Sequence, residues 1–316
     1  MGIGAKISND LNFGNKLSVN KSNNSNNLNF IPIRPLYNID DLILPVSTKE
    51  HILNVMSYSK NSDLVFKTWG LEETHKYSKK VGINLWGPPG TGKTMAAHAI
   101  AKYLNRDILI VNYADIESKY VGETPKNICK VFEVAKETNS ILFFDEADAI
   151  LSRRVTGMTH ATDVSVNQTR SVMLMLLNTY QDVIIFATNF IENFDPAFMR
   201  RILAHIKFEM PDAMCRYQLW NKYIPEKLPN NFDLKYIAEK YENLSGSDIS
   251  NAVLSTAFSA ARNNVNVVDQ MYLEEAIKNI LDSKMANQKH EPVITTRKVS
   301  EEYVRQQLKI KDGDDK

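Results

Sequence analysis

The chain has 316 residues, 43% of them hydrophobic, and its 38 Lys and Arg against 37 Asp and Glu leave a net charge of +1. That size allows a sizeable buried core in about two domains, and so even a charge argues against the basic stripe of a nucleic-acid binder. Cys129 and Cys215 lie far apart without CxxC spacing and read as free thiols of a reducing compartment.

No apolar run reaches the ~18 residues of a membrane span, and Met1-Gly2-Ile3-Gly4-Ala5-Lys6 carries neither a signal-peptide stretch nor a myristoylation hydroxyl. A cytoplasmic protein without a membrane anchor is expected. Residues 1–35, rich in Asn, Ser and Lys, bury too little apolar area to offset ordering entropy. They read as a flexible leader, either a passive tail or a substrate-engaging arm.

Strand and helix patterns then alternate. Strands are expected at Val81–Trp86, Asp107–Val111, Ile141–Phe144 and Val183–Thr188, and helices at Thr94–Leu104, Thr124–Glu137 and Val166–Asn178. The alternation predicts an α/β fold, a mostly parallel sheet flanked by helices over residues 36–211. After Pro211 only helical patterns remain, at Cys215–Tyr223, Asp233–Lys240, Ser247–Arg262 and Asp269–Asp282. They make a small α-helical lid over 212–283, with Ser247 or Asp248 and Asp269 as capping residues. Residues 284–316 are a polar tail with one further helix near Ser300.

The run Gly87-Pro88-Pro89-Gly90-Thr91-Gly92-Lys93-Thr94 fits GxxxxGK[ST] between an apolar strand and an amphipathic helix. Its glycines let backbone N–H groups turn inward around a phosphate. The helix N-terminus adds positive dipole, Lys93 reaches the β/γ-phosphates of ATP, and Thr94 holds Mg²⁺. About fifty residues on, Ile141–Phe144 ends in Asp145-Glu146, two carboxylates at a strand tip beside that loop. Asp145 is expected to hold Mg²⁺ through water and Glu146 to polarise the attacking water; Asp148, at the same tip, reads as structural. Asn189 ends the next strand and can orient that water against the γ-phosphate, although Asn after a strand is also an ordinary turn residue.

With GPPGTGKT, ILFFDEAD, ATN before DPAFMRR, and Gly246-Ser247-Asp248-Ile249 in the lid, the chain resembles the AAA family of ATPases across about Ile39–Asp282. The resemblance implies a P-loop NTPase fold and a ring, usually a homohexamer, with ATP at subunit boundaries. Arg200 and Arg201 then match the family's arginine fingers, although the motif is the short form, with Ile202-Leu203-Ala204-His205 following directly. Lys119, Tyr120 and Val121 match its first pore loop, with Tyr120 gripping an extended peptide. Arg153–Asp163, with His160, matches the second pore loop, and a passive loop fits that stretch equally well. By the same analogy adenine lies under Tyr37–Leu44, with Asp41 beside it, and Gly246 lets the lid approach the ribose.

Three functional classes compete for these residues. A protein-remodelling motor, pulling polypeptide through a pore, fits Tyr120 and the absence of HExxH or GxSxG signatures. A nucleic-acid motor or loader calls for a basic channel that the charge balance does not supply. An inactive scaffold would lack one of Lys93, Asp145, Glu146, Asn189 or the two arginines, and all are present. The short arginine motif is similar to that of the severing, membrane-extracting and HORMA-remodelling relatives. A small, nearly bare ring of this kind further resembles stand-alone bacterial remodellers, including the HORMA-disassembling, pachytene-checkpoint-like ATPases of antiphage operons, with a polypeptide client taken directly or through an adaptor.

Overall fold

A computed structural model of the chain describes residues 30–75, 81–117, 123–152, 161–191 and 194–288. Helix α1 (Val46–Lys60) precedes strand β1 (Val81–Trp86). There follow α2 (Lys93–Tyr103), β2 (Ile108–Asn112), α3 (Tyr113–Ile116), α4 (Glu123–Glu137), β3 (Ile141–Asp145) and α5 (Asp148–Leu151). The α/β part closes with α6 (Ala161–Thr179), β4 (Val183–Thr188), α7 (Pro196–Met199) and β5 (Ala204–Lys207).

The five strands form one parallel sheet in the order β2-β3-β4-β1-β5. Its strands are near-continuous apolar runs because both faces are covered. Ile141 and Phe143 of β3 join the core under α1 and α2, whereas Leu142 and Phe144 join the core under α4 and α6. The second core is largely aromatic: Phe144 stacks on Phe186 at 5.5 Å, and Phe132 meets Tyr180 edge-on at 5.1 Å.

Four strands lie where the sequence predicts them, to within a residue. The fifth, β5, carries no such signal, since of its residues Ala204-His205-Ile206-Lys207 only Ile206 is buried. It is recognisable only by its pairing with β1, with Ile83 opposite Ala204 and Trp86 opposite Lys207. On the far edge, Ile33 bridges Ile108 of β2 in antiparallel sense through two hydrogen bonds of 2.8 and 2.9 Å, and Phe30 packs on the aromatic core.

After Pro211 the described residues form the helices α8 (Ala213–Tyr223), α9 (Leu234–Lys240), α10 (Gly246–Arg262) and α11 (Gln270–Gln288), around Trp220, Ile237, Leu273 and Ile277. Side-chain caps start these helices, Asp212 accepting from Cys215 N and Asp233 from Tyr236 N. Helix α10 is capped by Ser245, not by Ser247 or Asp248: Ser245 Oγ accepts from Asp248 N while Asp248 Oδ2 accepts from Ser245 N, a reciprocal capping box. Lys284 also reaches Asp248, so α11 continues past Asp282 with a side-chain anchor on α10.

Candidate nucleotide site

Strand β1 delivers the loop Gly87–Gly92 to the C-terminal edge of the sheet, and α2 departs from it at Lys93. Gly92, in left-handed conformation at φ 99°, precedes the first helical turn and leaves its N–H groups open to an anion. Lys93 is folded back over the loop, its Nζ donating to Gly87 O at 2.7 Å, Pro88 O at 2.9 Å and Asn189 Oδ1 at 2.9 Å. Burial lowers its pKa to about 8, against the opposing pull of the Asp145 and Asp148 carboxylates.

The neighbouring strand tips complete the cluster. Thr94 Oγ1 donates to Asp145 Oδ2 at 2.9 Å, joining the start of α2 to the end of β3. Glu146 adopts the left-handed region at φ 49°, its N–H donating to Asp145 Oδ1 at 2.9 Å. A non-glycine residue held there is strained, and such strain concentrates at functional sites; Glu146 is exposed at the strand tip. Asp148, which the sequence reads as structural, accepts from the Thr188 hydroxyl with Oδ1 and from Asn189 N with Oδ2 at 3.3 Å. It therefore fixes the end of β4, and with it the amide that meets Lys93.

These groups line a cavity of about 380 Å³ shared between sheet and lid. Its walls include Pro89–Thr94, Asp145, Glu146 and Asn189 from the α/β part, Asp41–Pro45 from the preceding segment, and Gly246 and Ser247 from α10. The lid touches the loop directly: Ser247 N donates to Gly90 O at 3.3 Å. Gly90 has φ 75°, and a Cβ there would lie 2.6 Å from Ser245 Oγ, so only glycine permits this approach. A Cβ on Gly246 would in turn lie 3.4 Å from Gly90 O. Asp41 borders the cavity but spends its carboxylate on Asn38 N at 2.7 Å, a bond that lowers its pKa, while Lys222 Nζ of the lid donates to its carbonyl at 2.7 Å.

Arg200 and Arg201 are not brought to this cluster. They line a separate cavity of about 760 Å³ with Tyr58, Phe66, Leu177 and Asn178. Arg201 is held there, Nε donating to Asn178 Oδ1 at 2.8 Å and Nη1 to Ala197 O at 2.7 Å, whereas the exposed Arg200 makes one long bond to Pro196 O at 3.3 Å. Lys119, Tyr120 and Val121, and Arg153–His160 of the second expected loop, lie outside the described residues.

With the Gly-rich turn, the acidic tip and the lid meeting in one cavity, comparison with known proteins settles the lineage. Residues 83–210 match the ATPase family associated with various cellular activities (AAA), and residues 231–275 match the AAA+ lid domain. The chain carries an AAA ATPase domain and an AAA+ lid domain. Among curated relatives, it is 35% identical over 218 residues to the proteasome-activating nucleotidase of Saccharolobus solfataricus, covering 66% of this chain and 55% of that protein. The proteins of the same name from Methanocella arvoryzae and Methanopyrus kandleri are 33% and 31% identical over 211 residues each, covering 64% of this chain and 50% and 48% of theirs. This AAA chain thus spans about half the length of the curated relatives it matches.

Proposed function

We propose that this AAA chain is the subunit of an ATP-driven protein-remodelling ring, a homohexamer that hydrolyses ATP with Mg²⁺ and pulls on polypeptide. The observation that carries the reading is the separation of the site into two halves. Lys93, Thr94, Asp145 and Asn189 converge in one cavity, while Arg200 stands exposed on another face. A guanidinium that cannot serve its own subunit's nucleotide is available to a neighbour's, where such a group contributes ~10³–10⁵ in rate.

Within the cavity each group has a task its geometry suits. Gly87–Gly92 cradles the β-phosphate, and Lys93 exchanges its carbonyl partners for phosphate oxygens. Thr94 Oγ1 and Asp145 Oδ2, hard oxygens 2.9 Å apart, fit Mg²⁺, which when bound neutralises phosphate charge. Glu146 takes up the proton of the attacking water and Asn189 orients that water, its own backbone steadied by Asp148. Asp41 and Gly246 border the base and ribose through backbone contacts.

The protein-directed class is supported by the matched relatives, whose name is proteasome-activating nucleotidase, and by the Tyr120 loop. Among the described residues no helix is long and apolar enough to cross a membrane, and we place the work in the cytoplasm. The HORMA-directed, antiphage specialisation is supported by the short arginine motif, which severing and membrane-extracting relatives share, and by the resemblance to small stand-alone remodellers. The decisive experiment loads Glu146→Gln with ATP and measures mass by light scattering, then asks whether wild type unfolds a fluorescent protein bearing an unstructured tail. Ring formation with ATP-dependent loss of fluorescence is expected. A monomer in ATP, or turnover stimulated by single-stranded DNA and not by polypeptide, sinks the proposal. Client specialisation is read by adding purified HORMA protein as substrate.

A further inference from the structure

Helix α7 is a single turn, too short to set its own direction, yet Arg200 and Arg201 leave from its end. The residue that caps it, Asp195, is tied to three elements. Asp195 N donates to Leu151 O at 2.9 Å, at the end of α5; Oδ1 accepts from Ala197 N at 2.8 Å; and Oδ2 accepts from Arg170 Nη2 of α6 at 3.0 Å. Arg170 is only 2% exposed, and among the described residues its Nε and Nη1 find no acceptor. A buried guanidinium so incompletely matched is a poor way to hold a core together, since apolar side chains of similar volume often serve as well or better. What it supplies is direction: one charged strut from a long, well-packed helix to the cap of a one-turn helix.

The Asp195–Leu151 bond extends the strut. Helix α5 begins at Asp148, whose carboxylate holds Thr188 and Asn189, three residues beyond Asp145. We infer that Arg170 is a positioning residue for the arginine pair, fixing the direction in which α7 presents Arg200 and Arg201 to the neighbouring subunit. Through Leu151, the same knot ties that direction to the acidic tip of the subunit's own nucleotide site. This rests on the inter-subunit role proposed above for the two arginines.

Two variants test it: Arg170→Met, and Arg170→Met with Asp195→Asn, which removes both charges while keeping an oxygen to cap Ala197 N. Turnover against ATP concentration, binding of a fluorescent ATP analogue and thermal melting are measured on the full chain. The expected result for the double variant is a kcat lowered about tenfold or more, with nucleotide Kd within about twofold and melting little changed. Introduced into an Arg200→Ala/Arg201→Ala background, the same pair of changes should lower kcat no further, because both act through one group. Unchanged kcat, an additive further loss, or a double variant that no longer folds would each overturn the assignment. If Arg200→Ala/Arg201→Ala itself turns over like wild type, the inter-subunit reading fails; if that background is slow while the Arg170→Met/Asp195→Asn variant is fast, only the role of Arg170 fails.

Discussion

Lys93 Nζ donates a 2.9 Å hydrogen bond to Asn189 Oδ1, across 96 residues of sequence. The bond joins the first helical residue after the phosphate loop to the tip of the strand beside it, β1 and β4 being paired along their full length. Incoming phosphate therefore competes with an amide and two carbonyls for one ammonium group. The amide released by that competition is the group proposed to meet the attacking water.

Affinity for nucleotide should consequently depend on pH above neutrality. Lys93 has a pKa of about 8 in the free protein, and phosphate oxygens favour its charged form. Below about pH 7.5 the amine is charged and log Kd is flat; above about 8 each unit should weaken binding by close to tenfold, with proton uptake on binding. Without nucleotide the sign reverses for stability. The folded state disfavours the charge, so the free protein gains stability as pH rises from about 8 toward the ordinary lysine value. Titration with a fluorescent ATP analogue across pH 7–9.5 reads the first effect. Lys93→Arg, charged throughout, should bind more weakly but without the bend.

Asp148→Ala should uncouple Asn189 while leaving the phosphate loop intact. Asn189 N and the Thr188 hydroxyl would lose their shared acceptor. We expect kcat to fall by about tenfold or more with nucleotide Kd changed less than about threefold, measured by coupled ATPase assay and by direct binding. A drop confined to affinity would instead place Asp148 on the binding side of the site.

Gly90→Ala tests the contact between lid and loop. Its backbone sits at φ 75°, and the new Cβ would meet Ser245 Oγ at 2.6 Å. Strain of about 1–3 kcal/mol is expected from the backbone alone, with the lid displaced from the cavity. Nucleotide binding weakened about tenfold, and a lid more susceptible to limited proteolysis in the presence of ATP, are the outcomes to look for.

Arg216→Met addresses the lid's own stability. Arg216, 6% exposed, donates from Nε to Ala238 O at 2.9 Å and from Nη1 to Pro211 O at 2.6 Å, so it ties α8 both to α9 and to the junction with the α/β part. Methionine fills the space but leaves two buried carbonyls without that donor, at a cost of about 2–4 kcal/mol. Urea unfolding followed by tryptophan fluorescence, to which the buried Trp220 of the lid contributes, should show an earlier transition.

Much of this architecture is legible in the sequence because its determinants are local. Val81–Trp86 and Val183–Thr188 are apolar without alternation, the mark of strands covered on both faces, and Gly87–Thr94 carries its own chemistry in adjacent residues. The edge strand β5 escapes because a strand with one buried residue has no pattern to show. Ser245 escapes as the α10 cap because Ser247 and Asp248 offer the same chemistry two and three residues later. The contacts of Asp148 with Thr188 and Asn189, and of Arg170 with Asp195, depend on how β3, β4, α6 and α7 are set against one another. Spacing along the chain does not encode that placement. The lid's seat on Gly90 is similarly a product of tertiary packing, visible beforehand only as a glycine in a glycine-rich run.

The bridge between Ile33 and Ile108 has a consequence for handling the molecule. Strand β2 is an outer strand of the sheet, so alternate residues along Ile108–Val111 turn their amides and carbonyls away from β3, and the bridge satisfies both groups of Ile108. Left bare, such an edge is a template for pairing with another chain. The matched ATPase domain begins only at residue 83, well after the two-bond strap at Ile33 that covers the start of this edge. A fragment trimmed at residue 83 would lose that strap together with the Asp41–Pro45 wall of the nucleotide cavity, so a single cut bares the sheet edge and opens the site.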